Sequence, residues 1–411
     1  MAITTASLQA APSADVPVLA VGRGERIDVH PVVEYLRPFI VAAQATADAE
    51  RRIPESLIAE LERVGVFRAF LPREVGGLEL HPSDEMELLY ELGRIDAATA
   101  WAALGQNGGM MLPAPDVIAE LKAAAGGRWI ISGSHSRVGR AVVDGDGYRI
   151  YGQWHFASGS PWATHLTAFV HVEDEHGDKI IDEETGETLL IDVVLPRDAV
   201  TLVNDWDGMG LRGTASGRFT VDGAYVHASH GVRMGIADET YQDRALYRHF
   251  YPAIDVAVNL GIAHGILDAC MPHVDESSEY SRVQIAEAMA KIRAARSWAI
   301  ETTEALYDNA FLGETPTTYQ LTVDMWLAGI HAGRAAKDAA TAAFEAAHTK
   351  SVVVGRGIER RYRDLLTVTQ HEGYWMRQYS YLGQFIISGG KRLEGHPLLL
   401  PPSFYGIDPG A

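Results

Sequence analysis

The sequence predicts an α+β protein, mainly α, built as a helical N-terminal region, a central β region and a C-terminal four-helix bundle. Two observations predict this order. Apolar residues recur at helical spacing up to about Arg128, give way to short strand-like runs around Asp-Gly turns, and return to long helical runs after about residue 236. In the last part, Gly313 with Pro316 and Gly355 with Gly357 mark two breaks between long helices.

The divisions expected are a loose tail over 1–27, a helical domain over 28–128, a β-domain over 129–236, a bundle over 237–390 and a second tail over 391–411. In the first domain, Pro54 opens a run with Leu57, Leu61, Val64 and Phe67 on one face. Further helices are expected over Ser83 to Arg94, Asp96 to Ala103 and Asp116 to Ala124. In the β-domain, Val142 to Tyr151 reads as two strands around Asp-Gly turns, whose positive φ tight hairpins require. Leu166 to Val172, Leu189 to Leu195 and Phe219 to Val226 are further strands, and the acidic stretch from Glu173 to Thr188 is a solvated excursion. A barrel and a sandwich both fit. The bundle helices are expected over His249 to His273, Ser278 to Phe311, Thr317 to His348 and Ile358 to Ile387. The third is dense in alanine, which permits close helix approach.

Composition excludes several function classes. The 411 residues carry a formal charge of -19, a poor match for nucleic acid or anionic lipid. One cysteine, Cys270, excludes an internal disulfide and a Cys-rich metal centre, and HExxH is absent, so no metal is expected. No apolar stretch approaches a membrane span, and no basic segment precedes an apolar N-terminal core, so a cytoplasmic location is expected.

Three motifs invite chemistry. Gly208-Met209-Gly210-Leu211-Arg212-Gly213 matches GxGxxG, but Thr214 to Val221 continues as strand rather than helix, so a dinucleotide site is rejected in favour of a Gly-rich turn. Trp154-His155-Phe156-Ala157-Ser158-Gly159 closes a strand. Its hydroxyl, between an aromatic residue and a glycine, suits a flat heterocycle, and a strand end packed in the core is the alternative. Asp364, His371 and Glu372 stand at i, i+7 and i+8 on one helix face. They are candidate acid–base groups or a buried histidine with its partner.

Together with the segments from Arg52-Ile53-Pro54 to Gly76-Gly77, Gly210 to Ser216, and Arg363-Asp364, these motifs make the chain resemble the acyl-CoA dehydrogenase superfamily from about Ile53 to Gly389. The Trp-x-Phe-x-Ser-Gly form is similar to the reduced-flavin-dependent monooxygenases of two-component systems, the para-hydroxyphenylacetate hydroxylase, secosteroid hydroxylase and dibenzothiophene monooxygenase type. The resemblance implies reduced FMN or FAD, O2 as co-substrate, oxygenation of a small aromatic substrate through a C4a-hydroperoxyflavin, a separate NAD(P)H-flavin reductase as partner, and a homotetramer.

It also implies roles. Ser158 would bond flavin N5, and His371 would face substrate and the activated oxygen. Ser134, Trp154, Phe156, Gly159 and Arg282 would hold cofactor, Arg282 through one phosphate. Asn107, Tyr247, Phe250 and Glu372 would line the substrate. Asn107 stands where many members of this branch have a histidine. Glu372-Gly373 stands where many dehydrogenases carry their catalytic Glu-Gly, which leaves FAD-dependent acyl-CoA dehydrogenation, with Glu372 as α-proton base, as the alternative.

Overall fold

The computed structural model describes residues 16–19, 25–106, 112–183, 186–233, 251–308, 319–371 and 376–389. Five helices come first: α1 (His30–Glu50), α2 (Glu55–Arg63), α3 (Pro82–Ile95), α4 (Ala97–Gln106) and α5 (Pro115–Ala124). The sequence reading missed α1 as a separate helix. Its buried stripe of Val32, Val33, Leu36, Ile40, Ala43 and Ala47 has helical spacing, but Pro38 lies inside it and obscures the pattern. Pro54 sits just before α2, at the N-cap rather than within the first turn.

Seven strands come next: β1 (Ile131–Asp144), β2 (Gly147–Trp154), β3 (His165–Glu173), β4 (Leu190–Pro196), β5 (Thr201–Val203), β6 (Arg218–His227) and β7 (Gly231–Arg233). They form one sheet in the order β5-β6-β2-β1-β3-β4-β7. Every pair is antiparallel except β1–β3, which is parallel and shifts register between Ser134 and Gly139. Strand β1 starts eleven residues before the expected hairpin strand at Val142. Its first half, Ile131-Ser132-Gly133-Ser134, is small and polar and lacks β-branched bulk beyond Ile131, so the strand signal is weak there.

Five further helices complete the described chain: α6 (Tyr251–Cys270), α7 (Glu279–Tyr307), α8 (Tyr319–Ala346), α9 (Ile358–Val368) and α10 (Met376–Ile387). Helix α6 is central. It packs against α3, α8 and α9, and Val256, Val258, Leu260, Ile262, Ile266 and Leu267 bury its sides. The Ala-rich α8 lies along α7, with Ala332, Ala336, Ala339, Ala340 and Ala343 fully buried. The expected last bundle helix divides into α9 and α10. The Thr369 N–H bonds to the Leu365 carbonyl, and Gln370 and His371 close three-residue turns onto Thr367 and Val368. This tightening ends α9 and places His371 immediately beyond it.

The Gly208–Gly213 motif is a turn clasped to α9. A β-carbon on Gly210 would lie 2.3 Å from the Arg363 carbonyl oxygen. The Arg363 guanidinium donates to the Met209 carbonyl at 2.5 Å, and the Leu211 N–H donates to Asp364 Oδ1 at 2.7 Å. The glycine is required for backbone contact between the turn and the helix. Gly210→Ala should therefore destabilise the fold by about 1–3 kcal/mol through overpacking. Chemical denaturation would measure this, and an unchanged unfolding midpoint would refute it.

Candidate functional site

The centre of the site is the turn after β2. Phe156 and Gly159 both have positive φ, 64° and 78°. The turn is held by Ala157 N–H on the Gly217 carbonyl and Gly159 N–H on the Thr214 carbonyl, both at 2.9 Å. Alternate residues of β1 support it from one face, as strand periodicity allows. Ser132 Oγ donates to the Ser158 carbonyl at 2.7 Å, and Ser134 and Ser136 reach the His155 carbonyl.

Ser158 Oγ has two partners. It accepts from the Trp101 indole N–H at 3.1 Å and lies 2.7 Å from Ser216 Oγ. Ser216 Oγ in turn lies 2.5 Å from Thr214 Oγ1, which donates to the Leu211 carbonyl at 2.8 Å. Thr214 and Ser216 are buried, whereas Ser158 is half-buried. Phe156, two residues earlier, is 64% exposed.

Trp101 joins this group to His371. The two rings meet edge to face, with centroids 5.3 Å apart and planes at 71°. His371 Nδ1 lies 3.5 Å from Asp255 Oδ2, slightly longer than a good hydrogen bond and an ion pair only when the imidazole is protonated. The Asp255 carboxylate is 3% exposed, whereas the imidazole is 37% exposed. The structure thus brings Ser158 and His371 into contact with the same indole.

Other expectations fare differently. Trp154 is fully buried. It stacks on Phe219, centroids 5.0 Å apart, and donates its indole N–H to the Phe169 carbonyl. It presents no surface to a ligand, so its assignment as a cofactor residue is corrected: strand alternation turns it into the sheet core. Ser134 is buried, and its hydroxyl is engaged with Ser136 and the His155 carbonyl. Arg282 donates to the Glu276 and Ser277 carbonyls at 2.8 and 3.2 Å, before α7, and no contact among the described residues joins it to the Ser158 group. Asn107, Tyr247, Phe250 and Glu372 lie outside the described residues, and so does the dehydrogenase alternative that rests on Glu372.

The sequence reading missed Trp101, Ser216, Thr214, Ser132 and Asp255 as site residues. Asp255 had a signal: it is the one carboxylate between Tyr251 and Ala263, in a run otherwise broken only by Asn259. Ser132, Ser134 and Ser136 also had one, a serine at every second position of a strand.

Residues 30–115 match the family model described as acyl-CoA dehydrogenase, N-terminal domain, and residues 253–375 match that of the acyl-CoA dehydrogenase C-terminal domain. The chain is 26% identical over 343 residues to an indole-3-acetate monooxygenase of Pseudomonas putida, covering 79% of this chain and 84% of that protein. It is 25% identical over 284 residues to the oxygenase subunit HsaA of a flavin-dependent monooxygenase of Mycobacterium tuberculosis, covering 62% and 68%. Its fold matches XiaF from a Streptomyces species, solved in complex with FADH2 and glycerol, with a TM-score of 0.79 at 17% identity over 87% and 94% of the two chains.

Proposed function

The chain belongs to the acyl-CoA dehydrogenase superfamily, and from that premise we propose that it is the oxygenase component of a two-component flavin-dependent monooxygenase acting on a small aromatic substrate. One observation carries the reading. A half-buried hydroxyl and a half-exposed imidazole contact the same tryptophan, so a flat ring bonded to Ser158 would lie near His371. The Pseudomonas and Mycobacterium relatives support it, since both are named as monooxygenases.

The residues fit a flavin. Ser158 is half-buried and keeps an acceptor direction beyond its two partners, and Phe156, two residues earlier in the same turn, offers an exposed apolar ring. Bound reduced flavin, FMN or FAD, would supply oxygen activation through a C4a-hydroperoxyflavin, reduced beforehand by a separate NAD(P)H-flavin reductase. Ser158 would hold N5. His371 would move a proton to or from the substrate or the departing oxygen, with Asp255 steadying its ring. The buried hydroxyls behind Ser158 and the sheet core behind the turn would limit water at the reacting face.

The test is a rapid mix of protein, loaded anaerobically with reduced FMN, against aerated buffer. A near-ultraviolet absorbing species that precedes oxidised flavin is the expected result. Direct conversion to oxidised flavin, with turnover of CoA thioesters, would overturn the reading.

A further inference from the structure

Three oxygen–oxygen contacts link Ser158 to a backbone carbonyl: Ser158 to Ser216 at 2.7 Å, Ser216 to Thr214 at 2.5 Å, and Thr214 to the Leu211 carbonyl at 2.8 Å. Each needs a proton between its oxygens, and the three hydroxyls supply one each. A carbonyl cannot donate, so the last contact must use the Thr214 proton. Thr214 then accepts from Ser216, and Ser216 accepts from Ser158. The Leu211 carbonyl also receives the Trp206 indole N–H and the Thr214 N–H, so it is shared among three donors, and the 2.8 Å separation of its oxygen from Thr214 Oγ1 is what calls for the hydroxyl proton between them.

The proton of Ser158 is therefore committed inward. One of its lone pairs takes the Trp101 N–H. The direction that remains is an acceptor. We propose that the Thr214–Ser216–Ser158 relay makes Ser158 a hydrogen-bond acceptor and so selects the oxidation state of the flavin. Reduced flavin carries a proton on N5 and donates to Ser158. Oxidised flavin presents a lone pair there, which Ser158 can meet only if the relay reverses and leaves the Thr214–Leu211 contact without a proton. Thr214 and Ser216 are thus specificity-determining residues that act through Ser158. This inference rests on the flavin reading above and deepens it.

The experiment is equilibrium binding of oxidised FMN, and of dithionite-reduced FMN under anaerobic conditions, to the full chain and to Thr214→Val. Valine keeps the shape and removes the hydroxyl. Ser216 can then donate to Ser158, whose own proton turns outward. The native protein should favour reduced FMN. In Thr214→Val the ratio of reduced to oxidised affinity should fall by roughly tenfold, the worth of one hydrogen bond, mainly through tighter binding of oxidised FMN. Ser216→Ala breaks the relay at its middle and should move the ratio the same way, which keeps the test available if the valine variant misfolds. An unchanged ratio, or an equal loss of both affinities, overturns the relay while leaving the flavin reading standing. Failure of the native protein to bind either form of FMN overturns the flavin reading itself.

Discussion

His371→Ala is expected to lower product formation by roughly a hundredfold to ten-thousandfold, the range of a lost acid–base group, while reduced FMN still binds. Oxygen should still be consumed and appear as hydrogen peroxide. The split between binding and product separates a catalytic loss from a collapsed site. The geometry behind it is specific. The His371 backbone N–H closes onto the Val368 carbonyl at 3.0 Å, which fixes the residue at the end of α9. Trp101 limits one side of the ring and Asp255 lies at Nδ1.

Asp255 is buried within α6, and its Oδ1 makes no hydrogen bond among the described residues. A buried carboxylate is costly without a charged or hydrogen-bonding neighbour, so the His371 contact is the compensation at hand. Contacts of this kind are often long without substrate and tighten in the complex. Asp255→Asn should therefore slow product formation less than His371→Ala and leave FMN affinity unchanged. Steady-state oxygen uptake with peroxide and product counted together measures both variants. Undiminished product from His371→Ala would remove the role assigned to it.

The sequence reveals parts of this site because some chemistry sits in local motifs. Ser158 lies between an aromatic residue and a glycine, and both Phe156 and Gly159 adopt the positive φ of a tight turn. The i, i+7 spacing of Asp364 and His371 assumes one continuous helix, but α9 ends at Val368, so His371 reaches Trp101 and Asp255 from beyond the helix. The GxGxxG match is separable from a dinucleotide loop because strand, rather than helix, is expected after it. The structure adds a short 3-10 turn, Arg212–Thr214, before β6, and no dinucleotide-type helix.

The parts that escape depend on tertiary contact. Trp101 stands among alanines in α4, where a tryptophan reads as core. Nothing local shows that its N–H reaches a serine 57 residues away. Thr214 and Ser216 are legible as part of a family segment, but the proton order of their relay comes from distances alone. Trp154 misleads for the opposite reason. It neighbours the motif, yet strand parity sends it inward, where a β-carbon on Gly139 or Gly152 would meet its ring at 2.4 or 2.5 Å. The sheet reserves that space for the indole.

Asp96→Ala is expected to carry the largest stability cost of any single change around the site, about 3–5 kcal/mol, because it breaks a buried ion pair from one side. Asp96 ends α3 and caps α4. Its Oδ2 accepts from the Thr99 N–H at 3.0 Å and from the Thr99 hydroxyl at 2.9 Å. Its Oδ1 accepts from Arg360 on α9 at 2.9 Å, with the two side chains 3% and 14% exposed. Arg360 also lies 3.7 Å from Asp364, which holds the Leu211 N–H of the Gly-rich turn. The network therefore fastens three pieces of the site: the helix with Trp101, the helix leading to His371, and the turn leading to Thr214.

Loss of Asp96 should lower both the unfolding free energy and FMN affinity, whereas a purely local defect would change only the first. Burial pushes the Asp364 carboxyl up to about 7, against the pull of Arg360 and with a further push from Asp96. A carboxyl raised in the fold binds its proton more tightly there than in the unfolded chain, where 3.8 is the ordinary value. Its contribution to stability is complete below 3.8 and is lost as pH rises through about 7. Asp364→Asn keeps an acceptor for the Leu211 N–H and removes the titration. The native protein should therefore lose stability relative to this variant across that interval. Denaturant titrations at each pH give the difference directly, and a flat difference would mean that Asp364 stays ionised beside Arg360 throughout.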